Sequence, residues 1–426
     1  MKVLLAVVVA LVATVPSQAE DLPGANRTAT SAGAVDASSL RGKVLCGYQG
    51  WFRCPRDRAN AGWGHWSRDP RRIAPETLSF EMWPDLREYK PTERFPAPGF
   101  THKDGEPAEL FSSDNADTVR RHFEWMKDDG IDGVWLQHFV VELPGGPEQK
   151  HYESRSRVLG HVRAAAQETG RTWALTFDLT GMPTEKIFAV LTTEWKKLVD
   201  AGVMADERYL HEGGKPVVQV WGFYSHSPRN AMTAEVANQL IDFFKAPGRY
   251  HAYLVGGGDW NWRLNPDPRW QALFRRLDAY SPWNVGNTST DDTGTIHAAT
   301  ASWVEDKQEC EKLGMLWLPV IYPGFSWDNL QKKPPGSTLV PRRAGKFLWE
   351  QFHALSQLGA DSVCVAMFDE VDEGTAIFKV TNDPPGQGHF VTYEGMPSDW
   401  YLRLVGEGTR MLHDRRAVPS EIPLNP

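Results

Sequence analysis

The chain has 426 residues, with 54 acidic and 46 basic side chains and a formal net charge of −8, a length that suits one large domain or two ordinary ones. Hydrophobic residues at 41% and charged residues at 23% describe a globular chain and exclude wholesale disorder. The acidic balance argues against nucleic acid, whose phosphates call for a basic surface.

In chain order, residues 1–19 read first as an export signal. Lys2 supplies the positive start, residues 3–15 are nearly all apolar, and Ser17-Gln18-Ala19 fits a small-x-small cleavage site. That apolar run is too short to span a bilayer as a helix, which takes about 20 residues, and no later window is long and apolar enough. The expectation is a protein beginning near Glu20, exported to a periplasm or the exterior, with residues 20–41 as a flexible leader rich in Ala, Ser, Thr and Gly. Residues 42–426 are then one domain.

From residue 42 onward, short apolar runs alternate with segments of helical period. Strands are predicted over 44–51, 133–139, 173–178, 216–221, 252–255, 279–282, 315–321 and 362–368. They are apolar on both sides of the pleat, as parallel strands covered on both faces are. Helices are predicted over 116–127, 156–169, 184–199, 234–245, 269–277, 300–313, 343–358 and 399–412. Among them Val119, Phe123 and Met126, and Ile187, Leu191, Trp195 and Leu198, make single apolar stripes. Eight strands each followed by a helix point to a (β/α)₈ TIM barrel with long βα loops. A doubly wound open sheet is the rival, but Gly47-Tyr48-Gln49-Gly50-Trp51 offers no G-x-G-x-x-G phosphate turn. Two long connections, 53–115 with Trp63, Trp66 and Trp83, and 281–297 with Trp283, have the length of functional lids or walls.

Cys46, Cys54, Cys310 and Cys364 are too few for a disulfide scaffold and have no C-x-x-C spacing for zinc. Spacing alone leaves a Cys46–Cys54 bridge open. No cofactor or metal is expected.

A barrel carries its active site at the C-terminal ends of its strands. Those ends offer Tyr48 and Trp51, Gln137 and His138, Asp178, Trp221 and Tyr224, Asp259, Trp260 and Trp262, Tyr280 and Trp283, Tyr322, and finally Asp369, Glu370, Asp372 and Glu373. The set is acidic and aromatic and contains no clustered Lys or Arg. With 18 Trp in the chain, flat faces that stack on sugar rings are plentiful, and a neutral oligo- or polysaccharide is the expected partner. Core packing is the competing use of the same aromatics, and Tyr48, Trp51 and Trp221 fit either. His138 alone fits a satisfied core histidine as well as a ligand, and Asp178 fits a helix cap.

The most specific segment runs from Val365 to Ile377, where a buried strand delivers four carboxylates in five residues before a Gly-Thr turn. Glycosidic cleavage needs two carboxyl groups with divided roles, one protonated and one ionised. Crowding acids at a partly desolvated strand end raises some pKa values and divides the roles. A solvated acidic loop and a calcium site are the alternatives, the latter without the D-x-D-x-D-G pattern.

Phe368-Asp-Glu-Val-Asp-Glu-Gly-Thr-Ala-Ile377 resembles the W-N-E-W-x-E-G-T-x-I segment of glycoside hydrolase family 99, the endo-α-mannosidases and endo-α-mannanases, in a wider grouping with family 71. Tyr322-Pro-Gly-Phe325 is similar to that family's P-G-Y turn, Cys46-Gly-Tyr-Gln-Gly-Trp-Phe52 to its first strand, Gly130-Ile-Asp-Gly-Val134 to its second-strand entry and Lys215-Pro-Val-Val218 to its fourth. The matches fall in order between Gly47 and Ile377, and only the last is specific. The resemblance implies a (β/α)₈ barrel in which Glu370 takes a proton from the sugar's 2-hydroxyl, giving a 1,2-anhydro sugar. It implies that Glu373 protonates the leaving oxygen and later activates water, and that Asp178 stands near the substrate-binding glutamate after the third strand. The chain departs from the pattern at Asp369 (Asn in the family), Val371 (Trp) and Asp178-Leu-Thr180 (Glu-Pro-Tyr), which alters the cleft walls and leaves the sugar open.

The expectation is therefore a secreted glycoside hydrolase of α-linked glycans using Glu370 and Glu373. A barrel that binds glycans at the cell surface without cleaving them is the alternative, and a metal-dependent hydrolase a weaker third.

Overall fold

Strand and helix alternate eight times along the chain. We refer to the strands as β1 (Val44–Tyr48), β2 (Gly133–Phe139), β3 (Thr172–Asp178), β4 (Lys215–Phe223), β5 (Tyr253–Gly258), β6 (Ala279–Pro282), β7 (Leu316–Trp317 and Val320–Ile321) and β8 (Val363–Val365). The helices that follow them are α1 (Ala116–Asp129), α2 (Tyr152–Thr169), α3 (Thr184–Asp200), α4 (Ala234–Lys245), α5 (Pro268–Phe274), α6 (Trp303–Leu313), α7 (Lys346–Leu358) and α8 (Trp400–His413). The computed structural model describes residues 33–225 and 232–426. The expected export signal, and residues 20–32 of the expected leader, lie outside the described residues.

Every barrel strand pairs in parallel with the next, and β8 pairs with β1. The ring closes through β7, whose first half pairs with β6 and whose second half pairs with β8. Pro319 separates the halves, having no N–H to give to the ladder. Its carbonyl accepts from Cys364 N at 2.9 Å, while Leu318 N donates to Tyr280 O at 2.9 Å. The chain is thus the (β/α)₈ barrel that the alternation of apolar runs implies. Helix ends follow local chemistry: Asn115 caps α1 through Asp117 N, and Gly130, Gly314 and Gly359 end α1, α6 and α7 in the left-handed conformation.

Some boundaries differ from the expected ones. β1 stops at Tyr48 rather than residue 51, because Gln49 N and Gly50 N leave the ladder for the Asp369 carboxylate. β8 is shorter than 362–368, yet the chain beyond it stays tied down, with Ala366 N donating to Ile321 O and Phe368 N to Gly47 O. Part of the expected leader is fastened: Val35 N donates to Gly170 O, His211 N to Ala37 O, and Leu40 is fully buried. Residues 53–115 contain an antiparallel pair, Arg94–Thr101 with Pro107–Phe111, which the prolines hide in the sequence. A second pair, Thr288–Thr290 with Ile296–Ala298, lies in the loop after β6. All four cysteines are buried free thiols, and Cys54 Sγ donates to Phe111 O. Among the described residues no helix is long and apolar enough to cross a membrane.

Candidate active site

The four acids after β8 are drawn inward by backbone and side-chain donors from elsewhere. Asp369 is fully buried and accepts from Gln49 N at 2.7 Å and Gly50 N at 2.9 Å. Burial pushes its carboxyl up to about 6 against the pull of those two amides. Glu370, only 6% exposed, accepts from the Gln49 side-chain amide. Its carboxyl is raised well above the usual range, first by burial and then by the neighbouring Glu373 carboxyl, with Asp369 and Asp178 adding to the effect. Glu373 is half-buried. Asp372 accepts from or donates to His65 Nδ1 at 3.0 Å. Burial, then the Glu370 charge, lifts Asp372 far up, while burial and the Arg155 and Arg53 charges hold His65 far down. Both directions favour an uncharged pair sharing one proton.

Three distant segments fix the backbone of this acidic loop. Glu81 N donates to Val371 O at 2.7 Å and Ser326 N to Glu373 O at 2.9 Å. Arg342, whose guanidinium lies over the Tyr393 and Tyr401 rings, donates to Gly374 O and Ala376 O. The loop is preorganised rather than free, as acid-base geometry requires.

The alternation of a strand sorts the remaining predicted residues. Gly47 lies on the inward side of β1, since a Cβ there would meet Met367 and approach Gln137 Nε2. By the period of two, Gln49 also points inward and Tyr48 points at the helices. Tyr48 packs on Phe123 and donates to or accepts from His122 Nδ1 at 2.9 Å, with no exposed surface. His138 faces outward too, 2% exposed and 3.4 Å from Glu194 Oε1. Tyr280 and Trp262 are fully buried against Phe274, the Tyr280 hydroxyl donating to Asp259 O. Tyr322 packs on Phe347 and donates to Asn287 O, anchoring the loop after β6. These five side chains therefore build the wall and offer no open ring face. Asp259 spends its carboxylate on Ser225 and Asn265.

What does converge is Asp178, Trp221, Tyr224 and the glutamates. Asp178, half-buried, accepts from Thr180 N at 2.8 Å, while the helix it was offered as a cap for begins after Pro183. Burial pushes it up to about 6. Tyr224 is raised by burial and then by the Asp259, Asp178 and Glu373 charges together. Its ring meets Trp221, which meets Trp283 edge-on. Gly257 of β5 gives Trp221 its room, since a Cβ there would stand 3.1 Å from that ring. On the opposite side Trp51, half-buried, stacks on His65 at 3.9 Å and on Phe139 at 5.1 Å. Trp63, Trp66 and Trp83 of the long insert are buried packing residues.

The sequence reading missed the basic side of the site. Trp51, Arg53, His65, Lys150, His151 and Arg155 line a cavity of about 430 Å³ together with Glu142. Arg155 donates to Gln49 O and pairs with Glu142, and its guanidinium lies 4.9 Å from the Phe139 ring centre. The expectation of a site without clustered cations is thus corrected. Arg53 and His65 sit in the loop after β1, and Lys150, His151 and Arg155 in the 3-10 turn and first turn of α2, outside the strand ends. Gln49 was visible in principle, being two residues from Gly47 on the same face.

No family model matches the chain. Among solved structures it is similar to the GH99 endo-alpha-mannosidase from Bacteroides thetaiotaomicron, at 15% identity and a TM-score of 0.65 over 88% of this chain and 99% of that one. A second structure of that enzyme, in complex with BIS-TRIS-Propane, matches at a TM-score of 0.64 with the same identity and coverage. The resemblance noted in the sequence thus extends to the whole fold.

Proposed function

We propose that the protein is a glycoside hydrolase that cleaves α-linked glycans with Glu370 and Glu373 as its acid-base pair. One observation carries the reading: a carboxyl, Glu370, held by Gln49 beyond the last barrel strand and raised in pKa first by burial and then by a second carboxyl, Glu373, beside an aromatic wall. Two carboxyls that repel one another's ionisation hold a single proton between them over a range of pH, and the pair titrates as a unit. The singly protonated state supplies one acid and one base, which is what glycosidic cleavage consumes.

By the resemblance in the acidic loop, Glu370 removes the proton of the sugar 2-hydroxyl, whose oxygen displaces the leaving group at the anomeric carbon as Glu373 protonates it. Water, activated by Glu373, then opens the three-membered ring at the anomeric carbon, and the 2-oxygen regains its proton from Glu370. Gln49 orients Glu370, and Trp221 and Tyr224 supply faces for the sugar. Because the matched barrel is an endo-alpha-mannosidase, α-mannans are the first substrates to try, followed by α-glucans. Reading residues 1–19 as an export signal puts the reaction in a periplasm or outside the cell, which N-terminal sequencing of the secreted protein would check.

The test is digestion of an α-mannan and α-glucan panel by wild type, Glu370→Gln and Glu373→Gln, with NMR of the first product's anomeric configuration. Each variant should fold and lose activity by about 10²-fold or more. Near-wild-type hydrolysis by both variants would dismiss the assignment.

A further inference from the structure

The cavity between Trp51 and Arg155 has a charge opposite to that of the protein. Its charged lining is Arg53, Lys150 and Arg155 against Glu142 alone, in a chain whose net charge is −8. Arg53 and Arg155 are each only 4% exposed. Arg53 spends its guanidinium on Gly50 O, Phe52 O and Ser154 Oγ. Arg155 differs: Nε goes to Glu142 and Nη1 to Gln49 O, but Nη2 is buried with no hydrogen-bond partner. The indole N–H of Trp51, on the same wall, is also buried without one. Leaving a charged donor buried and unmatched is costly, and holding two guanidinium groups near each other out of water adds to the cost. Burial and the Arg155 charge lower Arg53 to about 10. An anion supplies the acceptors that Arg155 Nη2 and the Trp51 indole lack, through charge-assisted hydrogen bonds.

We infer that this cavity receives an anionic substituent, a sulfate ester or a carboxylate, of the glycan bound in the cleft. The inference rests on the hydrolase reading for the identity of the glycan, and not for the anion site itself. The two sites touch through one residue, since Arg155 donates to the Gln49 carbonyl and the Gln49 side chain donates to Glu370. Gln49 alone therefore separates the anion cavity from the catalytic carboxyl, and the substituent proposed is one carried by a sugar near that carboxyl. Such a substituent gives selectivity, because a glycan without an acceptor there leaves Arg155 Nη2 and the Trp51 indole N–H unmatched.

The experiment uses the intact protein and two small probes, inorganic sulfate and acetate, titrated calorimetrically at low ionic strength against a sodium chloride control. Wild type should bind at least one of them saturably, sulfate preference indicating a sulfate ester and acetate preference a uronic acid. Arg155→Met should weaken that binding by about tenfold or more. If that variant does not fold, with Glu142 left unpaired, Arg155→Lys keeps the charge but not the Nη2 donor and should weaken binding in the same direction. No saturable binding up to about 50 mM, or binding that the folded Arg155 variant leaves unchanged, overturns the inference. Lost turnover in the glutamate variants with no sulfate or acetate site removes this inference and keeps the hydrolase reading. Arg155-dependent anion binding with full turnover in both glutamate variants does the reverse.

Discussion

Gln49 offers a way to ask which glutamate carries the shared proton. Its side-chain amide donates to Glu370, while its own Oε1 is buried without a partner. Replacing Gln49 with Met keeps the length of the side chain, removes that donor and sacrifices no acceptor bond. A hydrogen bond to a charged group contributes about 1.5–3 kcal/mol, and about 1.4 kcal/mol is one pKa unit. Ionising Glu370 in Gln49→Met should therefore be harder by about 1–2 pH units. The sign follows from the bond: the amide favours the carboxylate, so its loss raises the pKa. In the pH dependence of kcat/KM the two apparent values belong to the pair, and their sum should rise by that amount. If the acidic limb moves, Glu370 ionises first; if the basic limb moves, Glu373 does. Carboxyl carbon NMR on isotopically labelled protein makes the same measurement without substrate. A sum that stays put or falls would refute the reasoning.

Asp372 is raised by burial and by Glu370 and shares one proton with His65, so ionising it as pH rises opposes folding. Asp372→Asn should cost less than about 1 kcal/mol at neutral pH and should flatten the loss of stability toward alkaline pH, read from urea midpoints at several pH values. His413 is raised by its 3.0 Å bond to Asp132. Its contribution is full below the unfolded pKa and fades as pH climbs through the folded one. At 42% side-chain exposure this is worth under about 1 kcal/mol, and the corresponding difference in thermal midpoint between pH 6 and pH 8 should vanish in His413→Gln. Gly406 lets α8 lie against the end of α1, since a Cβ would stand 1.8 Å from Asp129 O. Gly406→Ala must separate the helices and should lower stability by about 1–3 kcal/mol, measured by denaturant unfolding.

The barrel was legible because parallel strands covered on both faces read as apolar runs, and helices 116–129 and 234–245 announce themselves with caps and stripes. The acidic loop was legible because four carboxylates after a buried strand are unusual. Proximity to a strand end misled at Tyr48, His138, Tyr280 and Tyr322, since the period of two turns alternate side chains toward the helices. Applying that parity from Gly47 would have selected Gln49. Arg53, His65, Lys150 and Arg155 had no such signal. Arg53 and His65 reach the site from a loop, and Lys150 and Arg155 from the start of α2, along paths that depend on tertiary packing; His65 does so from a residue with φ of 63°. The prolines of residues 94–101 concealed a strand that donates and accepts only along part of its edge.

The clasp on the acidic loop has a consequence for how the molecule comes into being. Glu81 N meets Val371 O, and β1 meets β8, so the first and last portions of the barrel must find each other before the glutamates are held. Contacts of such long sequence separation form late, because closing a large loop costs entropy before any reward. A ribosome-bound chain lacking its final strand would carry Gln49 and Gly50 but none of the carboxyls they hold. Catalytic competence then arrives in one step with the completed ring, and truncation short of β8 should leave a polypeptide with no partial activity to inherit.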